Sequence, residues 1–100
     1  MIKIKVDYND NYVKSFKVKG HALYDEYGKD IVCASVSSIV ILSCNLALRF
    51  DEKSISVIQK DGLIDVTVNI FDDVVNTVFL NMIDSLKELE KQYKNNVKFV

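Results

Sequence analysis

The chain has 100 residues, of which 49% are hydrophobic, and its formal net charge is −1 at pH 7. That length and apolar content allow one compact core, so we interpret residues 1–100 as a single domain. The near-zero charge argues against a general polyanion binder, so a nucleic-acid partner is not expected. The alternating first five residues lack a signal-peptide apolar segment, and no apolar run approaches membrane-spanning length without interruption by polar residues. Both features favour a cytoplasmic protein without a membrane partner.

Two strands are predicted at the start of the chain. Apolar residues alternate with polar ones over residues 2–8 and again over residues 16–20, as in strands with one buried face. Asn and Asp at residues 9–11 supply turn chemistry between them, so the two strands favour a hairpin.

An irregular segment at residues 22–29 separates this hairpin from a long helix. Gly28, near the end of the segment, indicates a hinge. Asp30 is a good N-cap residue, and the helix is predicted over residues 31–48. Because its apolar residues point nearly all round, we expect the helix to be buried on most faces, with a second subunit as the simplest cover.

The second half of the chain has two further strands, a helix and a last strand. Strands are predicted around residues 55–58 and 64–70, joined by an Asp-Gly turn at residues 61–62. A helical apolar stripe follows from Val75 to Tyr93, and residues 97–100 form the last strand. The order ββαββαβ predicts an α+β fold of two layers, with a mostly antiparallel sheet and both helices on one face.

The single histidine and one of the two cysteines fall at element ends, where they can meet. His21 follows the second strand, and Cys33 falls at about the third position of the first helix. The helix N-terminus favours a thiolate there, the imidazole can act as general base and acid, and first-turn amides can hold an oxyanion. Ser37 shares the helix face of Cys33 and can orient the imidazole. Asp30 can also do so, although capping is its favoured role, and the third member stays open.

The same residue types also fit an ordinary structural interpretation. A cysteine inside an apolar helix is usually a small core residue, and we interpret Cys44 in that way. Both cysteines are expected to stay reduced. About 16 Å of helix separates Cys33 from Cys44, which excludes a disulfide or a shared zinc site between them. We therefore expect no metal and no other cofactor.

Residues 20–37 resemble the ribosomal-processing cysteine protease family. That family carries a Gly-His-Ala box, a mobile loop that ends in Gly, and an Asp-Ile-Val-Cys-Ala box followed by a Ser one turn later. The matching residues here are Gly20-His21-Ala22, Gly28, Asp30-Ile31-Val32-Cys33-Ala34 and Ser37. The resemblance implies that His21 and Cys33 are the reactive pair of a thiol protease.

The resemblance also implies a substrate and an assembly. Members of the family are cytoplasmic bacterial endopeptidases that act as homodimers. They remove an N-terminal extension from ribosomal protein L twenty-seven, cutting after an aromatic residue in an extended, largely apolar motif. A flexible loop settles around the substrate in the family, and its counterpart here includes Ala22, Leu23, Tyr24, Tyr27 and Gly28. We interpret Gly20 and Gly28 as residues that let the backbone adopt an unusual conformation or bend, rather than as residues that contact substrate.

Two other classes of protein stay open at this point. The first is a non-enzymatic, dimeric, ribosome-associated interaction module in which Cys33 is a buried thiol. The second is a thiol enzyme that transfers an acyl group to something other than water. Four lysines, at residues 3, 5, 17 and 19, are expected to line one exposed sheet face, which we interpret as solvated. Whether that face contacts the ribosome stays open.

Overall fold

The computed structural model describes residues 1–26 and 28–100. Its elements are β1 (Ile2–Asn9), β2 (Tyr12–Lys19), α1 (Ile31–Phe50), β3 (Ile55–Lys60), β4 (Leu63–Val68), α2 (Asp73–Gln92) and β5 (Val97–Phe99). The predicted order ββαββαβ is confirmed. Helix α1 continues two residues beyond its predicted end.

The five strands form one mixed sheet in the order β3-β4-β2-β1-β5. The β1–β2, β2–β4 and β3–β4 pairs are antiparallel, and β1 pairs in parallel with β5. The mostly antiparallel sheet of the prediction is therefore confirmed. In this register Lys19 at the end of β2 lies opposite Leu63 at the start of β4. That pairing brings the chain after β2 against the β3–β4 turn.

One face of the sheet packs against both helices to form the core. Phe16 of β2 and Phe79 of α2 are both buried, and their ring centroids lie 5.2 Å apart. Val32, Val36 and Val40 are the buried side chains in the first half of α1. Burying one side chain of this size contributes roughly 1.5–3 kcal/mol, so the first turn of α1 is held firmly over the sheet.

The other face of the sheet is exposed and rich in lysine. Lys3 lies opposite Lys19, and Lys5 lies opposite Lys17, with all four side chains exposed. Residues directly opposite each other in a sheet share a face. The prediction of a common exposed lysine face is confirmed.

Helix α1 buries only one stripe within the chain. Its 20 residues reach the length and apolarity of a membrane span, with a mean hydropathy of 2.2 over 18 residues, of which 28% are buried. Serines and an asparagine interrupt the apolar runs of this helix, but they do not lower its mean hydropathy below that of a membrane span. Large apolar side chains on its exposed side are Ile31, Ile41, Leu42, Leu46 and Phe50. The expected burial on most faces therefore does not arise from this chain alone.

Candidate active site

Asp30 caps helix α1 and ties the preceding segment to it. Its Oδ1 accepts hydrogen bonds from the backbone N–H groups of Val32 and Cys33, at 3.0 and 2.9 Å. Its Oδ2 accepts from Tyr24 N and Asp25 N, at 3.0 and 3.4 Å. Desolvation raises the pKa of the carboxyl, but these amide donors outweigh it and leave the pKa below its ordinary value. The predicted capping role is confirmed.

The capping hydrogen bonds bear on the predicted role of the first-turn amides of α1 as oxyanion donors. The amides of Val32 and Cys33 donate to the Asp30 side chain, and Ala34 N donates to the Asp30 carbonyl oxygen at 3.1 Å. These three amides are therefore engaged in the resting protein, and a role for first-turn amides in holding an oxyanion stays a prediction. A good N-cap side chain occupies the same donors that an oxyanion needs.

Cys33 is the third residue of α1, as predicted, and its side chain is partly exposed. The backbone N–H of Ala22 donates to Cys33 Sγ at 3.2 Å. A donor aimed at the sulfur stabilises negative charge there, and the N-terminal end of the helix dipole acts in the same direction. Both features suit a nucleophilic sulfur at this position.

His21 follows β2, and the backbone N–H groups of the residues on either side of it, Gly20 and Ala22, both donate hydrogen bonds. Gly20 N donates to Gly62 O at 2.8 Å, which joins this end of the strand to the β3–β4 turn. The imidazole rests on that turn, since a Cβ built on Gly62 would lie 3.1 Å from His21 Nε2. Gly20 has a φ of +100°, and a Cβ there would collide with the Met1 carbonyl oxygen, so only glycine fits.

A cavity of about 630 Å³ brings the two candidate reactive residues together. Seven of the candidate site and loop residues line it: Gly20, His21, Leu23, Gly28, Asp30, Cys33 and Ser37. The β3–β4 hairpin adds Gln59, Lys60, Asp61, Gly62, Leu63 and Ile64. In the described part of the chain no hydrogen bond joins His21 to Cys33. Catalytic hydrogen bonds often shorten only when substrate binds, so the lack of this bond at rest does not exclude His21 as the base for Cys33.

Not all of the predicted loop residues reach this cavity. Ala22 is buried and is held by its backbone on both sides, so it departs from the predicted mobile loop. Tyr24 packs edge-to-face on Tyr93, with ring centroids 5.5 Å apart, and does not line the cavity. Ser37 lines the cavity and is exposed. Tyr27 lies outside the described residues.

Asn96 is a part of this region that the sequence analysis missed. Its side-chain Nδ2 donates to the Ala22 carbonyl oxygen at 2.9 Å. The residue is separated from Ala22 by most of the chain, and the local sequence indicated only a turn. Gly62 was likewise interpreted only as part of a hairpin turn, although it supports the imidazole.

Cys44 provides the contrast with Cys33. It is 6% exposed and belongs to the core, as predicted. Burial raises the pKa of its thiol to about 11. Of the two free cysteines, Cys33 is therefore partly exposed and Cys44 is buried.

Comparisons with known proteins agree with the resemblance at residues 20–37. A family model described as Cysteine protease Prp matches residues 1–98. The Ribosomal processing cysteine protease Prp of Staphylococcus aureus is 29% identical over 102 residues, covering 98% of this chain and 96% of that protein. A crystal structure of the S. aureus protease with a covalently linked product peptide matches with a TM-score of 0.92, at 28% identity over 99% of this chain and 97% of that one. A second, with a substrate peptide, matches with a TM-score of 0.88, at 26% identity over 100% and 98%.

Proposed function

Because the chain belongs to the cysteine protease Prp family, we propose that Cys33 is its nucleophile and His21 its general base and acid. The observation that supports this most is the position of Cys33 Sγ, in the first turn of α1 and in the cavity that His21 also lines. Family membership makes the chain a cysteine protease, so the alternative of a non-enzymatic module is set aside.

The mechanism follows from those two positions. His21 takes the thiol proton, and the Cys33 sulfur attacks the carbonyl carbon of the scissile peptide bond, so that a carbon–sulfur bond forms and the carbonyl electron pair moves to oxygen. The intermediate collapses, His21 gives its proton to the amide nitrogen, and the carbon–nitrogen bond breaks to release the amine. Water, deprotonated by His21, then attacks the thioester, and the carbon–sulfur bond breaks to release the acid and restore the thiol.

The oxyanion of each tetrahedral intermediate needs a hydrogen-bond donor. In the first turn of α1, the amides of Val32, Cys33 and Ala34 already donate to Asp30. Among the described residues, the amide that points at the reacting sulfur is Ala22 N. We therefore assign Ala22 N–H, which donates to the Cys33 sulfur at rest, as the donor that the oxyanion meets without a change in the orientation of the Ala22 backbone.

The substrate we propose is the precursor of ribosomal protein L twenty-seven, cut to remove its N-terminal extension in the cytoplasm. The S. aureus relative is a ribosomal processing protease. Ile2, Val18 and Leu63 give the cavity an apolar wall, which suits the aromatic residue after which cleavage is expected. Leu23 and Gly28 also line the cavity, so they are the loop residues that we place against the substrate.

The working form that we propose is a homodimer. Leu42, Leu46 and Phe50 are spaced by four residues, so they form one stripe along α1, and they are 72%, 53% and 49% exposed. A symmetric partner is the commonest cover for such a stripe. Sedimentation at micromolar concentration should give twice the 11.4 kDa chain mass, and a single species of the chain mass would count against the dimer.

The function is tested by incubating the protein with an extended ribosomal protein precursor and analysing the products by mass spectrometry. A single cut after an aromatic residue, with one water added across the bond, is the expected result. A product in which the new carboxyl end carries another acyl acceptor would instead identify an acyl transferase. An uncut precursor alongside freely alkylated Cys33 would refute the proposed substrate.

A further inference from the structure

Asn96 lies between helix α2 and strand β5 and is fixed by its own backbone. Its N–H donates to Tyr93 O at the end of α2, and its carbonyl oxygen accepts from Ile2 N of β1, both at 2.8 Å. These two bonds hold the residue on rigid elements. Its side chain is therefore a fixed support rather than a mobile surface group.

That side chain reaches the residue next to His21. Asn96 Nδ2 donates to Ala22 O at 2.9 Å, while Ala22 N donates to Cys33 Sγ at 3.2 Å. Both backbone polar groups of Ala22 are thus engaged, and its side chain is 1% exposed. With both groups held, the backbone of Ala22 has one orientation, and that orientation aims its N–H at the sulfur.

Leu23, the residue after Ala22, has a strained backbone conformation, so other contacts must stabilise this part of the chain. Leu23 has a φ of +57°, in the left-handed region that side-chain-bearing residues rarely adopt, and it is 77% exposed. Burial of its own side chain does not compensate for that conformation. The hydrogen bond from Asn96 is made to the carbonyl oxygen of the peptide group between Ala22 and Leu23. It therefore stabilises the backbone next to the strained conformation of Leu23.

We propose that Asn96 is a positioning residue for the protease reaction. Through Ala22, it aims an N–H at the Cys33 sulfur and holds the backbone next to His21. Without the amide of Asn96, the Ala22–Leu23 peptide is free to relax toward a less strained conformation, and the Ala22 N–H turns away from the sulfur. The inference rests on the proposed role of Cys33 as nucleophile.

The test compares Asn96→Asp with Asn95→Asp. The first variant removes the amide donor and places an acceptor against Ala22 O, whereas the second adds the same charge at the neighbouring exposed position. Two quantities are measured: kcat and KM for an extended peptide, and the pH profile of Cys33 alkylation by iodoacetamide. Cys44 does not interfere with that profile, because burial raises its pKa to about 11.

For Asn96→Asp we expect kcat to fall about tenfold or more, with KM changed about twofold or less, because the lost alignment acts on the reacting centre. The midpoint of the alkylation profile should move to higher pH, since the thiolate loses a donor. Asn95→Asp should leave both quantities near wild type. A purely structural role would lower the melting temperature without moving the alkylation midpoint.

Asn96→Ser gives a second measurement, because it removes the amide without adding charge and its hydroxyl is too short to take the place of Nδ2. An unchanged alkylation midpoint in either folded variant would overturn the proposal. Failure of the proposed function looks different: Cys33→Ala would then still cleave the peptide. If Cys33→Ala is inactive while Asn96→Asp matches Asn95→Asp, only the role of Asn96 is refuted.

Discussion

Replacing Gly62 with alanine tests whether the β3–β4 turn positions the imidazole. The new Cβ would lie 3.1 Å from His21 Nε2, so the ring must move by a few tenths of an ångström. Gly28→Ala is a control for the backbone strain alone, since Gly28 also lines the cavity. Gly28 has a φ of +86°, against +69° for Gly62, but a Cβ there meets no described atom within 4 Å.

Both substitutions place alanine in the left-handed region, which costs about 1–2 kcal/mol. For a domain of this size, that cost lowers the melting temperature by roughly 4–8 °C per kcal/mol. Only Gly62→Ala also moves the imidazole. A misplacement of about 1 Å in a catalytic group can cost about 100-fold in rate, so a shift of a few tenths of an ångström should cost on the order of tenfold in kcat/KM.

The assay is cleavage of a quenched fluorogenic peptide that contains the expected site, with melting temperatures measured for both variants. We expect similar destabilisation in the two variants and the larger loss of kcat/KM in Gly62→Ala. Equal kcat/KM values for Gly62→Ala and wild type would show that the turn does not position His21. A larger loss of kcat/KM in Gly28→Ala would show that catalysis depends more on the loop at residue 28 than on the β3–β4 turn.

Two further predictions concern Asp30 and Cys44. Asp30→Ala should cost about 2 kcal/mol of stability near neutral pH, at the upper end of N-cap effects, because the carboxylate accepts from four amides. Since the folded pKa of Asp30 lies below its unfolded value of about 3.9, this contribution is present above that value and is lost as the pH falls through the folded pKa. Denaturant titrations should therefore show the gap between wild type and Asp30→Ala narrowing below about pH 4, and a gap independent of pH would contradict the charged cap. Cys44 should resist alkylation at pH 8 while Cys33 reacts, which peptide mapping would check; equal labelling would contradict the burial of Cys44.

The fold could be predicted from local patterns, and the candidate pair His21 and Cys33 was predicted with the help of the family resemblance, whereas the supports of the site could not be predicted. Alternation with period two and a helical stripe are properties of neighbouring residues, and they were sufficient for the element order. The predicted end of helix α1 was two residues too early, because Arg49 and Phe50 are exposed and add no buried residue to the apolar pattern. The contact of Gly62 with His21 depends on the pairing of β2 with β4, which is set by the packed sheet.

The role of Asn96 was beyond sequence reasoning for a similar reason. Its contact with Ala22 joins the end of the chain to the end of the second strand. An Asn-Asn pair before a strand indicates a turn, and nothing local distinguishes the residue that reaches the site. The N-cap at Asp30 was predicted, but only the geometry shows that its carboxylate accepts from the amides of Val32 and Cys33 at the same time, in competition with an oxyanion.

The most direct test of the central claim is mass spectrometry of an extended ribosomal protein precursor incubated with folded Cys33→Ala, using Cys44→Ala as the matched control. Alanine is compatible with the first turn of a helix, so the fold should survive the change, which circular dichroism would check. We expect no cleavage by Cys33→Ala and wild-type cleavage chemistry by Cys44→Ala. Cleavage by folded Cys33→Ala at the wild-type rate would contradict the assignment of Cys33 as the nucleophile.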